Sequence, residues 1–500
     1  MSTPLIKRLE ALKKEDRISF HTPGHKKGSA YESIGDGGIK ENLYQYDTTE
    51  VFGTDQLQDP TGVLQESQQW TATVFNSPQA YYLVNGSTSG VLGMILSQTK
   101  PKDEVLVQRD VHQSVIHALI LGDLTPRFIQ PEIDPLYKIP KGITALQVKE
   151  GLEKYPDCKG VLVTHPNYYG RGAELEEIRR LTKEGGKIFW VDQAHGAHLG
   201  LHRELPLSGV AVGADLTVMS FHKTLPVMSQ SAVLFSSGDL VDRERLQEQL
   251  NIHQSSSPSY ILMASIEQGT RYYREVGEEK MALLMEQIRQ FENKFKSLRL
   301  FQLDPSGDQK QTKDRTKDPT KLWIHTEDSG LSGHAVEAYL RENHGIDMEL
   351  SMPQGLLGLT SMGNRGKDLE KLYLAFEELE ESLYNKGKIG KTPAHENFSK
   401  EGFFDTEVEV KEEEVTIKPG DFSGIPIRTA FYSAKERVSI NKSMHRVAGS
   451  AVTPYPPGIP LILPGEVIRR THIKKLLEYE RRKIKIIGIK AGKIMVITEE

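Results

Sequence analysis

Length, composition and charge limit what this chain can be. It has 500 residues, of which 37% are hydrophobic, enough for two or three domains with sizeable cores. A formal net charge of −5 argues against nucleic-acid binding, no apolar run approaches the ~18 residues of a membrane span, and residues 1–8 lack the apolar core of a signal peptide.

The first predicted elements are a short helix and a turn. Residues 4–14 are predicted to form an amphipathic helix, because apolar residues recur at helical spacing: Leu5, Ile6, Leu9 and Leu12. The segment Phe20-His-Thr-Pro-Gly-His-Lys26 follows, with a Pro-Gly turn between His21 and His25. From the residues alone, a solvated turn and a site for an anion or a substrate group are equally good interpretations. Residues 53–62 then lead into a helix predicted from about Val63 to Phe75.

A candidate phosphate site follows the next predicted strand. Ala80–Val84 is apolar, Asn85-Gly-Ser-Thr-Ser-Gly90 is a turn rich in glycine and hydroxyls, and Val91–Leu96 continues as a helix. Backbone N–H groups, the hydroxyls of Ser87, Thr88 and Ser89, and the positive end of a helix dipole would converge on one anion. By itself the turn is more typical of an ordinary N-capped helix.

Residues 81–237 alternate short β-branched runs with helical stretches, which predicts βαβ units and a mostly parallel sheet. The loops after these strands carry polar clusters: Ser87 to Ser89, Arg109 to His112, His165 to Tyr169, Asp192 to His195 and Ser220 to Lys223. Carboxyl ends of parallel strands share one edge of a sheet, so these clusters are expected to form one active site. Cys158, the single cysteine, cannot form an internal disulfide, and we interpret it as a structural residue of a cytoplasmic protein. No metal site is predicted.

Two of these strand ends carry a lysine and an acid. Lys223 follows the run Ala214–Met219 and is flanked by polar residues, with Pro226 ending the segment, so it is a candidate Schiff-base nucleophile. Asp192 follows the run Gly186–Val191, where an acid needs a cationic partner. Pyridoxal 5'-phosphate (PLP) needs a lysine to hold it and an acid at its ring nitrogen, and these two residues would supply both.

The chain also resembles a known family through eight segments in the family's order. They are Phe20–Lys26, Val84–Gly90, Arg109–Ser114, Thr164–Gly170, Asp192–His198, Ser220–Lys223, Gln254–Tyr260, and Pro454–Pro460 followed by Pro464-Gly-Glu466. The resemblance is to the PLP-dependent ornithine/lysine/arginine decarboxylases of the aspartate-aminotransferase-like fold, most closely to their short bacterial members. It covers nearly the whole chain. It implies an α/β protein of fold type I with a mostly parallel central sheet, a smaller α+β domain and an additional C-terminal α+β domain.

The resemblance also implies roles for the residues at the strand ends. Lys223 would carry the cofactor, Asp192 would keep its ring nitrogen protonated, His112 would stack on the ring, and His195 would lie under or beside it. The phosphate would be held by the Ser87, Thr88 and Ser89 turn together with Ser220 and His222. In this family the Phe20–Lys26 segment crosses a dimer interface, so a homodimer or higher oligomer is expected, with these residues near the partner's cofactor: His21, His25, Ser256, Ser257 and Tyr260.

The implied substrate is a basic amino acid, with arginine favoured over lysine and ornithine because the short bacterial relatives include arginine decarboxylases. A cationic tail needs acids at the far end of its pocket, and Asp55, Asp59 and Glu466 are the candidates. Gln56 and Gln58 depart from the family's pattern, in which a second acid and a histidine often stand there. Their effect on specificity, like that of Gln193, stays open.

The predicted domain organisation is an arm at 1–62, a large PLP-binding domain at 63–258, a small α+β domain at 259–385, a charged linker at 386–420 and a C-terminal domain at 421–500. Helix is predicted from about Ser259 past Leu300, followed by a polar loop at 304–321. Strands are predicted at 321–326 and 356–360. The two last apolar runs, 483–488 and 493–498, are predicted to pair as a terminal hairpin.

Two other kinds of function share parts of this pattern. An aminotransferase or another lyase of the same fold would have the same lysine and aspartate. Aminotransferases usually hold the substrate carboxylate with an arginine of the small domain, for which Arg341 and Arg365 are the candidates. A non-catalytic regulatory protein of this fold is the second alternative, and the intact Lys223 and Asp192 argue against it.

Overall fold

The structure is a computed structural model, and it describes residues 4–15, 17–304, 316–385, 425–455, 458–481 and 484–498. The predicted linker at 386–420 lies outside the described residues. None of the helices within these ranges is long and apolar enough to cross a lipid bilayer.

The N-terminal arm contains the predicted amphipathic helix, α1 (Pro4–Lys14), but the chain buries none of its residues. Leu5, Ile6 and Leu9 are exposed. Strand β1 (Ile18–Phe20) and the short helix α2 (Leu43–Tyr46) follow. The arm therefore presents apolar side chains that its own subunit does not cover.

A seven-stranded sheet forms the centre of the large part of the chain. Its strands are β2 (Gln79–Leu83), β3 (Glu104–Gln108), β4 (Thr125–Ile129), β5 (Gly160–Thr164), β6 (Ile188–Asp192), β7 (Leu216–Met219) and β8 (Ala232–Ser236). The order is β2-β8-β7-β6-β5-β3-β4, and only β8 runs opposite to the others. The prediction of a mostly parallel sheet is confirmed. Every residue of β7 and β8 is buried, which explains their continuous apolar sequences.

Helices cover the sheet. They are α3 (Val63–Val74), α4 (Gly86–Leu96), α5 (Gln113–Leu121), α6 (Ala145–Lys154), α7 (Leu175–Glu184), the single turn α8 (Phe221–Thr224) and α9 (Arg243–His253). Gly90 lets α4 approach the sheet closely, because a Cβ there would lie 2.5 Å from Leu83 and 2.7 Å from Val218. The start of α4 is thereby fixed at the carboxyl edge of the strands.

The small domain packs a four-stranded antiparallel sheet against long helices. Its elements are α10 (Tyr260–Tyr272), α11 (Glu278–Phe295), β9 (Gln302–Leu303), β10 (Lys321–His325), α12 (Gly333–His344), β11 (Ile346–Met348), β12 (Leu350–Met352), β13 (Gly355–Leu359) and α13 (Gly366–Asn385). The order is β12-β13-β10-β9, and β1 of the arm pairs with β11 in parallel. The strands predicted at 321–326 and 356–360 are confirmed.

The prediction of helix past Leu300 is wrong. Helix α11 ends at Phe295, and the chain then turns, with the backbone N–H groups of Arg299 and Leu300 bound by the buried carboxylate of Glu380. A buried acceptor on another helix thus stops a segment whose composition favours helix.

The C-terminal part is a small α+β unit with its own core. It comprises α14 (Ile427–Tyr432), β14 (Lys435–Ser439), β15 (Thr453–Tyr455), α15 (Arg470–Arg481), β16 (Lys485–Ile487), β17 (Ile489–Lys490) and β18 (Lys493–Ile497). The elements after α14 form that core, whereas Ile427 of α14 packs in the core of the large domain. The predicted terminal hairpin is only partly right, because β17 pairs with β18 whereas β16 pairs with β15. Gly488, with φ of +98°, separates β16 from β17 and redirects the chain.

Candidate functional site

Lys223 lies in the single helical turn that follows β7, at the shared carboxyl edge of the parallel strands. Its Nζ atom is 3.0 Å from Nε2 of His195, which follows the neighbouring strand β6. Burial lowers the pKa of the Lys223 amine, and the charges of Asp192 and Glu349 partly oppose this shift. A lowered pKa increases the fraction of neutral amine, which is the form that acts as a nucleophile.

Asp192 ends β6 and is 2% exposed. Its Oδ1 accepts a hydrogen bond from the backbone N–H of Ala194 at 3.1 Å. Burial raises the pKa of this carboxyl, and the charge of Lys223 and the Ala194 hydrogen bond oppose that shift. A buried acid held in this way would be stabilised as an anion by a cationic partner.

The turn before α4 has the features of an anion site. Helix α4 has no side-chain cap at Asn85, so its first backbone N–H groups have no such partner. Ser220 Oγ donates to Ser87 Oγ at 2.7 Å, which brings the turn next to the Lys223 loop. The Ser89 hydroxyl donates to the backbone oxygen of Gly86 at 2.8 Å, and Thr88 is exposed. Ser89 can therefore offer an anion its backbone N–H more readily than its hydroxyl.

Two further histidines flank the lysine. His112 caps α5, and its Nδ1 lies 2.9 Å from the hydroxyl of Ser114, which fixes the ring. His222 Nδ1 lies 3.0 Å from the backbone oxygen of Ser231. Burial lowers the pKa of both to about 4, so both are neutral at pH 7.

These groups fit PLP. The cofactor has an aldehyde, a pyridine nitrogen and a phosphate, and the site offers an amine, a buried acid and an uncapped helix start with hydroxyls. Ser87 and Ser220 are in direct contact, and Lys223 shares the short loop with Ser220. The residues assigned from the sequence to the cofactor therefore lie around one edge of one sheet.

Glu349, just after β11, is a site residue that the sequence analysis missed. Its Oε1 accepts a hydrogen bond from the Tyr168 hydroxyl at 2.6 Å, and its Oε2 accepts one from the backbone N–H of Thr22 at 3.0 Å. The Tyr168 ring packs edge-on against His195, with ring centroids 4.9 Å apart. A single acid near the end of a three-residue strand gives no signal of this role in the sequence.

Lys321, the first residue of β10, was also missed. It is 1% exposed, and its charge lowers the pKa of Lys223 and of His195, whose largest shifts come from burial. Its Nζ lies 3.7 Å from Oδ2 of Asp318, which is itself 3.1 Å from Nε2 of His198. A lysine directly before the apolar run Leu322-Trp-Ile324 was the available signal, because buried lysines need a reason.

The Phe20–Lys26 segment packs against the Lys223 loop of its own subunit. The N–H of Gly24 donates to the backbone oxygen of His222 at 2.9 Å, and a Cβ at Gly24 would lie 2.8 Å from the backbone of Leu225. Lys26 donates to the backbone oxygens of His21 and Leu359. His25 caps the following turn by accepting from the N–H of Gly28. The turn therefore has a structural role within its own subunit, and its contact with a partner stays a prediction.

Two of the three acids predicted to bind a cationic tail have partners inside the chain. Asp55 accepts hydrogen bonds from the N–H groups of Thr61, Gly62 and Leu64, which lower its pKa although burial opposes this. Glu466 accepts from Arg109 at 3.2 Å and from the N–H of Leu463 at 2.7 Å. Asp59 is exposed.

The Gln254–Tyr260 segment divides into bound and exposed residues. Tyr260 donates to the backbone oxygen of Asp55 at 2.7 Å, and Gln58 donates to that of Ser255 at 2.9 Å. Ser256 and Ser257 are exposed, and the partner-facing role predicted for them stays a prediction. The Gln193 side chain donates a hydrogen bond to the backbone oxygen of Gly196 and accepts one from the N–H of Gly209, each at 2.7 Å. These bonds fix the conformation of the loop after β6.

The fold and the arrangement of strand-end residues define the class. A mostly parallel seven-stranded sheet with a lysine and an acid at neighbouring strand ends, a small α+β domain and a C-terminal unit is the fold of PLP-dependent enzymes of fold type I. Residues 3–368 match the family described as "Orn/Lys/Arg decarboxylase, major domain", and residues 427–486 match its C-terminal domain. The chain belongs to the Orn/Lys/Arg decarboxylase family.

Individual relatives agree with this assignment. The chain is 34% identical to the uncharacterized protein YaaO of Bacillus subtilis (strain 168), over 100% of this chain and 99% of that one. It is 32% identical to an arginine decarboxylase of Bacillus anthracis, over 96% of this chain and 93% of the relative. The crystal structure of the Francisella novicida lysine decarboxylase LdcF has a similar fold, with a TM-score of 0.74, 20% identity, and coverage of 98% of this chain and 80% of that one.

Proposed function

We propose that this protein is a cytoplasmic, PLP-dependent decarboxylase of basic amino acids, with arginine favoured over lysine and ornithine. The observation that carries the proposal is the pairing of Lys223 Nζ with His195 Nε2 at 3.0 Å beside the buried Asp192, in a chain of the Orn/Lys/Arg decarboxylase family. Arginine is favoured because relatives of 30–32% identity over almost the whole chain are arginine decarboxylases. The products would be CO2 and the corresponding amine, agmatine from arginine.

The residues of the chain would hold the cofactor at three points. Lys223 would bind its aldehyde carbon, Asp192 would face the ring nitrogen, and the start of α4 with Ser87 and Ser220 would bind the phosphate. When bound, PLP supplies an electron sink for the electron pair left on Cα as CO2 departs. Asp192 would favour that chemistry by keeping the ring nitrogen protonated, which an amide could not do.

The histidines would orient these groups. His112, fixed by Ser114, would cover one face of the ring, and His195 would hold the amine of Lys223. His222 would stand beside the phosphate. Because all three are neutral near pH 7, they would act through position and hydrogen bonding rather than through charge.

The cationic tail would require an acid, and Glu466 and Asp55 remain our proposals for it. Within the subunit, a substrate guanidinium at Glu466 would take the place that Arg109 holds in this structure. Arg109 also donates to the backbone oxygens of Pro460 and Leu461 and so attaches the C-terminal unit to the large domain. Binding of the tail would therefore be coupled to this attachment.

We also propose that the protein acts as a homodimer or a larger homo-oligomer. The arm exposes large apolar side chains, among them Tyr44 and Phe52, beyond the uncovered face of α1. Apolar groups concentrated on one segment mark an interface. The exposed Ser256 and Ser257 would reach the partner's site in such an assembly.

Transamination is the alternative for which the arginines of the small domain are informative. The two arginines considered as carboxylate clamps are engaged at the surface: Arg341 with Glu337 and Asp347, and Arg365 with Glu32. Neither forms a clamp in this subunit, which supports decarboxylation.

The test is a panel of arginine, lysine, ornithine and neutral amino acids with the PLP-loaded enzyme, in which CO2, amine and keto acid are all measured. Decarboxylation predicts equal amounts of CO2 and amine. With a 2-oxo acid such as 2-oxoglutarate added to accept the amino group, keto acid without CO2 would identify an aminotransferase. Preference for a neutral amino acid would contradict the basic specificity. An inactive protein that binds PLP would support the regulatory alternative.

A further inference from the structure

Lys321 is a buried lysine with few partners. Burial lowers the pKa of its amine, and the charges of Asp318 and Glu349 oppose that shift and favour the ammonium form. Its side chain is shielded from solvent, and within the described ranges its Nζ has no hydrogen-bond acceptor. The nearby Oδ2 of Asp318, at 3.7 Å, lies beyond normal hydrogen-bonding distance. A lysine has three N–H donors, and burying them without acceptors is costly.

The carboxylate of Asp318 is held mainly by other groups. Its Oδ1 accepts hydrogen bonds from the N–H of Thr320 at 3.0 Å and from the Thr320 hydroxyl at 2.7 Å. Its Oδ2 lies 3.1 Å from Nε2 of His198. Oδ1 of Asp318 is thus held by Thr320, whereas Oδ2 lies near both His198 and Lys321 and has no hydrogen-bond partner within the described residues. The amine of Lys321 therefore interacts with Asp318 by charge and keeps its N–H donors available for another anion.

Packing contacts connect Lys321 to the loop residues around the proposed catalytic lysine. Its side-chain stem packs against Gly170, two residues after Tyr168, whose ring contacts His195. His198, the neighbour of Asp318, follows His195 by three residues in the same loop. The charge of Lys321 also acts on the pKa values of both Lys223 and His195, which requires proximity.

We propose that Lys321 binds the α-carboxylate of the amino-acid substrate and so positions the bond that breaks. The inference rests on the proposed function. An α-amino acid that reacts at Lys223 must place its carboxylate within a few ångströms of that amine. Glu349, which contacts Tyr168 beside His195, would repel this carboxylate. A buried, under-coordinated cation from the small domain is the complementary group.

An ammonium suits a decarboxylase better than a guanidinium. Arginine binds a carboxylate through two parallel hydrogen bonds, whereas lysine is a point charge. The carboxylate must leave as neutral CO2, so an interaction that is strong only before the reaction would slow it. Asp318 shares the charge of Lys321, which leaves a cation that orients the carboxylate without holding it tightly.

The experiment compares ligands with and without the carboxylate. We would measure KM for arginine and the inhibition constant of agmatine, which lacks the carboxylate, for the PLP-loaded wild-type enzyme and Lys321→Met. The loss of one charge-assisted hydrogen bond predicts an increase in KM of about 10- to 100-fold. The constant for agmatine should change less than about twofold. Lys321→Arg should restore arginine binding in part.

Lys317→Met is the matched control for deletion of a buried lysine. Lys317 pairs with Asp304 at 3.0 Å in the same segment. Lys317→Met should leave the ratio of KM for arginine to the inhibition constant of agmatine unchanged. If Lys321→Met does not fold, Lys321→Gln and Lys321→Arg make the same comparison. If Lys321→Met changed KM for arginine and the inhibition constant of agmatine by the same factor, or changed neither, this inference alone would be overturned. Absence of CO2 from every basic amino acid with the wild-type enzyme would instead overturn the proposed function.

Discussion

The carboxylate of Glu349 accepts a hydrogen bond from the hydroxyl of Tyr168, with 2.6 Å between the two oxygen atoms. Tyr168 packs edge-on against His195, and His195 contacts the amine of Lys223 at 3.0 Å. The small domain is thereby connected to the proposed catalytic lysine of the large domain. Glu349 acts on that lysine both through these contacts and through its charge.

Glu349→Gln should shift the pH dependence of PLP capture to lower pH. Burial lowers the pKa of Lys223 and the Glu349 charge opposes this, so removing the charge lowers the pKa further and makes more neutral amine at a given pH. A shift of up to about one pH unit is expected for charges a few ångströms apart at the effective dielectric of a protein site. The rate at which PLP-free enzyme binds added PLP, followed by absorbance from pH 6 to 9, measures it.

Tyr168→Phe is the control for that variant, because it removes the hydrogen bond and keeps the charge. Its profile should stay near that of the wild-type enzyme. Equal shifts in both variants would mean that Glu349 acts by position alone.

Asp192→Asn should retain part of the PLP and lose several orders of magnitude in kcat. An amide cannot keep the ring nitrogen protonated, and a neutral ring is a poor electron sink. Absorbance gives the PLP content and CO2 release gives the rate. Asp215→Asn removes another buried acid, at the opposite edge of the sheet and paired with Arg179, and should affect stability much more than kcat. A near-normal kcat in Asp192→Asn would remove this residue from its role.

Stability should decrease as the pH falls below about 6.5. Burial lowers the pKa of His112, His165 and His222 to about 4, so between these pH values the unfolded state binds more protons than the folded state. The free energy of unfolding is then lost on acidification, by roughly 1–2 kcal/mol per histidine at pH 5. Asp110, whose pKa burial raises to about 6, and Asp192, whose pKa burial also raises, bind protons in the folded state and partly oppose this loss.

Urea denaturation of the PLP-free enzyme at pH 7.5 and pH 5 tests the direction. His165→Gln should lose less stability between the two pH values than the wild-type protein does. Equal stability of the wild-type protein at both pH values would contradict the assignment of neutral buried histidines.

Much of the large domain could be predicted from sequence because its strands are short apolar runs that end in polar clusters. Lys223 and Asp192 were found in this way, since chain-local patterns place both at the same sheet edge. Glu349 and Lys321 were not, because they come from a domain more than 90 residues further along the chain and only packing brings them to the site. Asp55 was assigned to the substrate by its charge, and the backbone N–H groups that bind it could not be predicted from the local sequence. The end of α11 depended in the same way on Glu380, a partner that the local sequence does not reveal.

Phe52→Asp should weaken self-association and reduce activity. Phe52 is fully exposed in the subunit, and a charge there would be buried by the proposed interface at a cost. Sedimentation velocity at several protein concentrations measures the association. Leu374→Asp changes an exposed apolar residue on α13, outside the arm, and should leave association unchanged. A fully active wild-type monomer would contradict the oligomeric proposal.

The most direct test of the account is the yield of CO2 and agmatine from arginine with the PLP-loaded wild-type enzyme and with Lys223→Ala. The wild-type enzyme should release the two products in equal amounts and form one borohydride-reducible adduct per chain, at Lys223. The variant should give neither product nor adduct, although Lys321 is still present. Turnover or a stoichiometric adduct in Lys223→Ala, or no CO2 from arginine, lysine and ornithine with the wild-type enzyme, would contradict the central claim.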